Sequence, residues 1–456
     1  MSISATKAVT WSSKSSFLLA TIGIAVGLGN IWRFPYVVGT NGGAAFVLVY
    51  VLTLLCFAAP IMIAELMIGR QGQKDPFTSV KELSDKNGGS KNWQLIGWLS
   101  LLIPFIALSY YSVVAGWTVD YTWQSLLNRF EDIDNAGSKQ HFQALAGSPT
   151  QSIALFLGFI AFTMFIISKG LKEGLEKSVK LLMPMLFVIL VFLVIYAAIA
   201  GDFAKGFAYL FSPDLSKINA DVVLAAMGQA FFSLGVGAGS VMAYGGYLSK
   251  DISIPKSVLT VAFADTLVAL LAGLAIFPFV FAFDLTPSSG PGLIFETLPI
   301  AFGQLPGGQW VGLLFFFLLA GAALTTALSM LECLVRFLAD RYQLTRVKAT
   351  CIAGSASAVL GLGAALSFNV LADFKPLGFI DFFSGKTFFD LMDYSVANIM
   401  IPFNALLIVL FCGWVMTKKV VQAEFSEQQS VWFKPWLTLI RFIAPIGVIA
   451  VLIIGL

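Results

Sequence analysis

Residues 23–35 read Gly-Ile-Ala-Val-Gly-Leu-Gly-Asn-Ile-Trp-Arg-Phe-Pro, inside the first run apolar enough to cross a membrane. Three glycines, an asparagine and an arginine do not belong in a lipid-facing helix. Each glycine costs about 1 kcal/mol of helix stability relative to alanine, and an arginine near mid-span costs about 2.5–3.5 kcal/mol on insertion scales. Irregular backbone at membrane depth is tolerated only where protein buries it or where it lines a water-filled cavity. The segment therefore predicts an interrupted helix whose freed carbonyls face a binding site.

The surrounding composition fits that reading. The 456 residues are 58% hydrophobic and 12% charged, with mean hydropathy +0.86, which describes a multi-spanning membrane protein rather than a soluble domain. Runs of spanning length predict eleven helices, at about 14–38, 42–70, 94–124, 152–169, 175–200, 219–246, 254–281, 308–338, 347–366, 388–417 and 438–456. The loops between them are short, so residues 1–456 read as a single all-α transmembrane domain. With a cytoplasmic N-terminus, 21 Lys and Arg fall on the inner side and 6 on the outer, leaving Arg33 within the membrane. That bias puts the N-terminus inside and the C-terminus outside a cell inner membrane. The net charge of +3 is then a topology signal and not a nucleic-acid patch. The four cysteines, Cys56, Cys333, Cys351 and Cys412, sit in or at the ends of apolar spans without zinc-site spacing, and read as buried free thiols. The first apolar stretch is too long and too glycine-rich for a cleavable signal peptide.

A second break stands in register with the first. Residues 228–239 read Gly-Gln-Ala-Phe-Phe-Ser-Leu-Gly-Val-Gly-Ala-Gly, again mid-span, five helices further on. Two halves of five spans each enter the membrane with opposite orientation. Gly-interrupted segments at corresponding positions are the pattern of an inverted-topology repeat in secondary transporters. The halves would run over about 11–200 and 219–417, followed by a last helix at about 438–456. Close helix packing through small residues is the plainer alternative for either segment alone.

These stretches carry a resemblance. Gly23–Pro35, Asn41-Gly-Gly, Glu65 followed by Ile68-Gly-Arg, Gly228-Gln-Ala-Phe-Phe-Ser-Leu, and Gly290-Pro-Gly-Leu-Ile-Phe-Glu-Thr-Leu-Pro resemble the neurotransmitter:sodium symporter family, its bacterial members in particular. The match runs from about residue 11 past Asp393. The resemblance implies two sodium ions. One would meet the Ala25 carbonyl, Asn30, Ser233, Asp265 and the substrate carboxylate. The other would meet carbonyls of Gly23, Val26 and Ala322 with the hydroxyls of Thr325 and Thr326. Read without the family, these adjacent threonines could simply bond back to the preceding helical turn.

Asp265 departs from many members, which carry asparagine there, and chloride-dependent relatives place a serine at the position of Ala269. An intramembrane aspartate is a functional signal, and its fixed charge would replace chloride; it could also take up a proton on the empty return step. Gly27 stands where amine-carrying relatives have an aspartate, so the substrate would bring its own carboxylate, bound by Tyr111. The resemblance lines the substrate site with Ile24, Ala25, Gly27, Ala107, Tyr111, Phe231, Phe232, Ser233, Gly235, Ala238, Thr326 and Met330. Ala107, Ala238 and Gly235 are smaller than their counterparts in leucine-carrying members, which argues for a bulky hydrophobic or aromatic amino acid. Gly235 also resembles carriers of ω-amino acids or amines.

Gating residues follow from the same resemblance: Arg33 and Asp393 as an outer pair with Phe232 as lid, and Asp340 and Tyr247 on the inner side. Lys7 is the nearest cation where the family has an arginine, and it lacks the bidentate fork. Glu65 belongs with this group, as do Gly174 and Pro184, whose spacing of nine intervening residues would let the fifth span start unwind. The expected activity is a sodium-coupled amino-acid symporter working by alternating access. An amino-acid sensor would use the same motifs. An enzyme is excluded by the lack of a catalytic set: one histidine, His141, in a loop, no paired-histidine metal motif and no Gly-x-Ser-x-Gly elbow.

Overall fold

A computed structural model describes residues 10–285, 291–425 and 430–455. Lys7 and Gly290 lie outside the described residues, whose regular structure is entirely helical. In chain order the main elements are α1 (Lys14–Ala25), α2 (Leu28–Thr40), α3 (Ala44–Gly72), α4 (Pro76–Lys86), α5 (Lys91–Leu126), α6 (Asn135–Gly147), α7 (Pro149–Ser168), α8 (Leu171–Ala200), α9 (Phe203–Phe211), α10 (Ala220–Leu234), α11 (Ser240–Gly245), α12 (Ile254–Ala282), α13 (Leu298–Gln304), α14 (Gly308–Tyr342), α15 (Arg346–Leu366), α16 (Phe388–Val415) and α17 (Val431–Ile453). Among the described residues nine of these are individually long and apolar enough to cross a membrane, and α1 with α2 makes a tenth if the bent pair is one span. The chain is thus an all-α integral membrane protein. The apolar run at 219–246 is interrupted as expected, into the shorter α10, a glycine loop and α11. The loops expected to be plain connections contain helices α4, α6, α9 and α13.

Both breaks have local causes. α1 stops at Ala25, Val26 leaves helical geometry (φ −77°, ψ 89°), and α2 restarts after an extended Gly27 at 65° to α1. Ser13 caps α1 by accepting from the Ser16 amide at 3.1 Å, whereas Gly27 offers α2 no side-chain cap. α10 ends because Gly235, Gly237 and Gly239 all take positive φ (61°, 83° and 86°), a backbone region that costs glycine little and other residues more.

Helices in lipid gain little from apolar side chains alone and approach closely on small residues. Gly69 of α3 lies directly on α11, where a methyl group would run into the Met242 carbonyl and the Gly246 amide. α5 and α14 form the most extensive helix pair, with Trp117 and Tyr121 of α5 fully buried. The Tyr121 hydroxyl donates to the Phe295 carbonyl at 2.8 Å. The end of α3 is tied down by a buried ion pair between Arg70 and Glu424. Of the cysteines, Cys333 and Cys412 are buried as expected, but Cys351 is exposed on α15 and Cys56 half-buried; their spans present those faces outward.

Candidate functional site

The two breaks face each other across α12. Asp265 of α12, fully buried, accepts from Asn30 Nδ2 of α2 at 2.6 Å, from Ser233 Oγ of α10 at 2.6 Å and from the Tyr50 hydroxyl of α3 at 3.1 Å. Asn30 Nδ2 also lies 3.4 Å from Ser233 Oγ. Sequence reasoning placed Asn30, Ser233 and Asp265 together and missed Tyr50, whose signal is a lone hydroxyl in the apolar run Val47–Leu52. All three donors are neutral, so the buried carboxylate has no counter-charge among the described residues. A buried ionised group without one is strongly disfavoured. A cation with hard oxygen ligands suits this donor set.

A second group of oxygens lies one turn before the first break. The Thr326 hydroxyl sits 3.3 Å from both the Gly23 and the Ala322 carbonyls, and Thr325 Oγ1 donates to the Ala322 carbonyl at 2.9 Å. A methyl group on Gly23 would stand 3.1 Å from Thr325 Cβ, so glycine allows α1 to approach α14 there. Val26 and Ala322 border an apolar cavity of about 270 Å3 that also touches Met183, Pro184 and Phe187 of α8. Gly174 occupies the wide first turn of α8, where a methyl would meet the Ile166 carbonyl. Ser12, just before α1, donates to Glu176 through its amide at 2.9 Å and through its hydroxyl, fixing the start of α8 to the start of α1.

Between the oxygen groups, around Gly27, polar groups stand on one side and apolar side chains on the other. A methyl on Gly27 would stand 3.1 Å from Thr326 Oγ1 and 3.5 Å from the Tyr111 hydroxyl. That hydroxyl is buried near Thr326 and the Leu28 amide yet completes no hydrogen bond. The first turn of α2, uncapped, opens onto the same space and favours a negative group. At the apolar end Ala107, Ala238 and Met330 pack with Ile103 and Val396, a cluster separate from the main core. Span-ten residue Val396 had no signal in the sequence beyond being apolar. Ile24 and Phe231 are buried at the breaks, and a methyl on Gly235 would meet only Ile24 within 4 Å.

The two ends of the bundle differ. At the end opposite the basic loops, Phe232 is 40% exposed, Arg33 and Asp393 are exposed, and no ion pair within 4 Å joins them. The Arg33 guanidinium instead lies 5.1 Å from the centre of the Phe232 ring, and Asp393 is within reach of the Tyr110 hydroxyl. The basic end is closed. Trp11 donates from its indole to the Tyr244 carbonyl at 3.1 Å and from its amide to the Tyr247 carbonyl at 3.2 Å. Tyr247 donates to Glu332 at 2.6 Å, and Arg346 pairs with the same carboxylate. Arg336 lies 3.7 Å over the Tyr247 ring. Asp340 faces Arg336 at 3.6 Å and accepts from the Asp75 amide at 3.3 Å; Lys7 lies outside the described residues. Glu65 lies at neither end but at the second break, where it accepts from the Gly237 amide. Sequence reasoning missed Glu332, although a carboxylate inside α14 is the same kind of signal as Asp265.

Glu332→Gln is expected to lower stability by about 1.5–3 kcal/mol, the worth of hydrogen bonds to a charged group. The full penalty of a broken buried pair is not reached because Arg346 keeps 24% of its side chain exposed. Thermal unfolding in micelles checks this; an unchanged midpoint contradicts it.

The comparisons with known proteins agree with this geometry. The family model described as SNF, the sodium:neurotransmitter symporter family, matches residues 8–140 and 129–456. The chain is 36% identical over 450 residues to the uncharacterized sodium-dependent transporter YhdH of Bacillus subtilis, spanning 98% of this chain and 97% of that protein. It is 32% identical over 455 residues to an uncharacterized sodium-dependent transporter of Haemophilus influenzae, spanning 98% of each. The crystal structure of MhsT in complex with L-phenylalanine matches at a TM-score of 0.87 with 38% identity, over 98% of this chain and 100% of that one. Similar along almost its whole length in both sequence and fold, the chain belongs to the sodium:neurotransmitter symporter family and is a sodium-dependent membrane transporter, not an enzyme.

Proposed function

We propose that the protein imports a bulky hydrophobic or aromatic amino acid together with two sodium ions, independently of chloride. The observation that carries this reading is the set of groups around Gly27, with the unpartnered Tyr111 hydroxyl and the start of α2 at one end and an apolar cluster at the other. A carboxylate accepts from Tyr111, the side chain lies among Ala107, Ala238, Met330 and Val396, and the amino group meets carbonyls near Ala25, Phe231 and Ser233. The first sodium ion lies by Asp265, Asn30, Ser233 and Ala25, and the second by Gly23, Val26, Ala322, Thr325 and Thr326. L-phenylalanine in the MhsT structure is a ligand of the expected class.

The whole chain acts as one transporter domain, its halves at about 11–200 and 219–417 related as inverted repeats. The N-terminus and basic loops face the cytoplasm, the C-terminus the outside. An exposed Arg33, Phe232 and Asp393 over a closed Trp11–Tyr247–Glu332 end describe an outward-open protein. Closure brings Arg33 to Asp393 and Phe232 over the substrate. Opening inward releases Asp340 and Tyr247, with Gly174 and Pro184 loosening the start of α8. Two sodium ions entering down about 100 mV and a tenfold gradient release about 7.4 kcal/mol, enough for about five decades of accumulation. Asp265 supplies a fixed charge, and Ala269, one turn further on and buried, offers an anion nothing to bind.

A thermal-shift screen of the twenty amino acids, with and without sodium, tests the reading. Aromatic and large aliphatic amino acids should raise the midpoint only with sodium, equally well when gluconate replaces chloride. No shift for any of them sinks the reading; a shift confined to ω-amino acids or amines moves the protein to the class that Gly235 also resembles. Ala107→Phe fills the apolar end and should weaken phenylalanine and tryptophan at least tenfold while sparing alanine. Equal losses for all three would place the side chain elsewhere.

A further inference from the structure

Glu65 repeats the signature of Asp265 at the second break, among residues other than those assigned to sodium. It is fully buried in α3, and one carboxylate oxygen accepts from the Gly237 amide in the loop between α10 and α11. Its other oxygen, Oε2, is buried without a partner. At the same residue, fully buried Asn404 of α16 donates to the Gly237 carbonyl at 2.8 Å and to Ser100 Oγ at 3.1 Å, leaving its Oδ1 unpartnered. Ser240 Oγ, at the first residue of α11, is likewise buried and unpartnered. The orphans are all oxygens, two of them able only to accept while the carboxyl is ionised.

Among the described residues no basic side chain answers them. Arg70, further along α3, is committed to Glu424, and Arg336 of α14 is committed to the carbonyls of Ala243, Gly246 and Gln73. Asp265 on α12 is held by its own three donors. Apart from burial, only the amides of Gly237 and Met242 bear on the Glu65 carboxyl, and the nearby titratable group on α14 is the Cys333 thiol. A buried charge with neutral donors alone, beside acceptors with no donor, is an incomplete site.

We infer that Glu65 and Asn404 hold a single positive charge at the second break, as a proton on Glu65 or as a bound alkali ion. A proton on Oε2 turns an orphan acceptor into a donor for Asn404 Oδ1, directly or through one buried water. An alkali ion takes Glu65 Oε2, Asn404 Oδ1 and Ser240 Oγ as ligands. Either way the charge ties α3 and α16 to the Gly235–Gly239 loop, which carries Ala238 and follows Ser233 at the end of α10.

Infrared spectra of the full chain in lipid nanodiscs, wild type against Glu65→Gln, test this together with unfolding midpoints in sodium, potassium or choline. A neutral carboxylic-acid carbonyl band lost in Glu65→Gln supports the proton. No such band, but a midpoint raised by sodium or potassium in the wild type and less so in Glu65→Gln, supports the alkali ion. An ionised Glu65 with equal cation responses in both proteins overturns the inference. If Glu65→Gln does not fold, Asn404→Ala serves: it should shift the band by removing its acceptor, or diminish the cation response, and leaving both unchanged is the contrary result. None of these measurements needs a transported amino acid, so they fail or succeed apart from the substrate reading.

Discussion

Asp265→Ala should abolish sodium-dependent amino-acid binding. The carboxylate is the acceptor for Asn30, Ser233 and Tyr50, which come from three different helices. Truncation strands three buried donors at about 1–3 kcal/mol each and removes the fixed negative charge beside the proposed first sodium. A loss of about 2.7 kcal/mol in sodium binding alone is a hundredfold in affinity, and isothermal titration with sodium reads it directly. Asp265→Asn separates charge from shape. It keeps a side-chain oxygen but not the charge, so sodium dependence should weaken. Wild-type sodium affinity in Asp265→Ala would place the ion elsewhere.

Tyr111→Phe should remove amino-acid binding while leaving the fold intact. Its hydroxyl is buried and completes no hydrogen bond, so deleting it costs the protein no existing contact. A hydrogen bond to a carboxylate is worth about 1.5–3 kcal/mol, so the affinity for every α-amino acid should fall at least tenfold. The unfolding midpoint without substrate should stay level or rise, because an unsatisfied polar group has gone. Unchanged affinity would mean that the substrate carboxylate does not meet Tyr111. A lower midpoint would make Tyr111 a structural residue.

The sequence and the structure agree best where chemistry is local. Glycines at 235, 237 and 239 announce a broken helix because each takes a positive φ that other residues adopt at a cost, and at 23 and 27 a side chain would crowd Thr325 and Thr326. Asp265 was conspicuous because an intramembrane carboxylate is expensive. Contacts set by tertiary packing were not legible. Tyr50 reaches Asp265 from 215 positions away. Glu332 meets Arg346 across the turn between α14 and α15 and Tyr247 from a third segment, none of which periodicity reveals. The helices inside the loops escaped because a search for spanning length passes over elements as short as α9, nine residues long. Arg33 and Asp393 form no ion pair within 4 Å, and sequence carries no information on how far such a gate is closed.

Sodium is expected to drive accumulation of a bulky amino acid through the site at Gly27. Proteoliposomes holding the full chain, given an inward sodium gradient and labelled L-phenylalanine, test it most directly. Internal phenylalanine should rise well above the external concentration with sodium outside, collapse to equilibration when the gradient is dissipated, and persist when gluconate replaces chloride. Uptake that ignores the sodium gradient, or binding of phenylalanine with no accumulation, would contradict it.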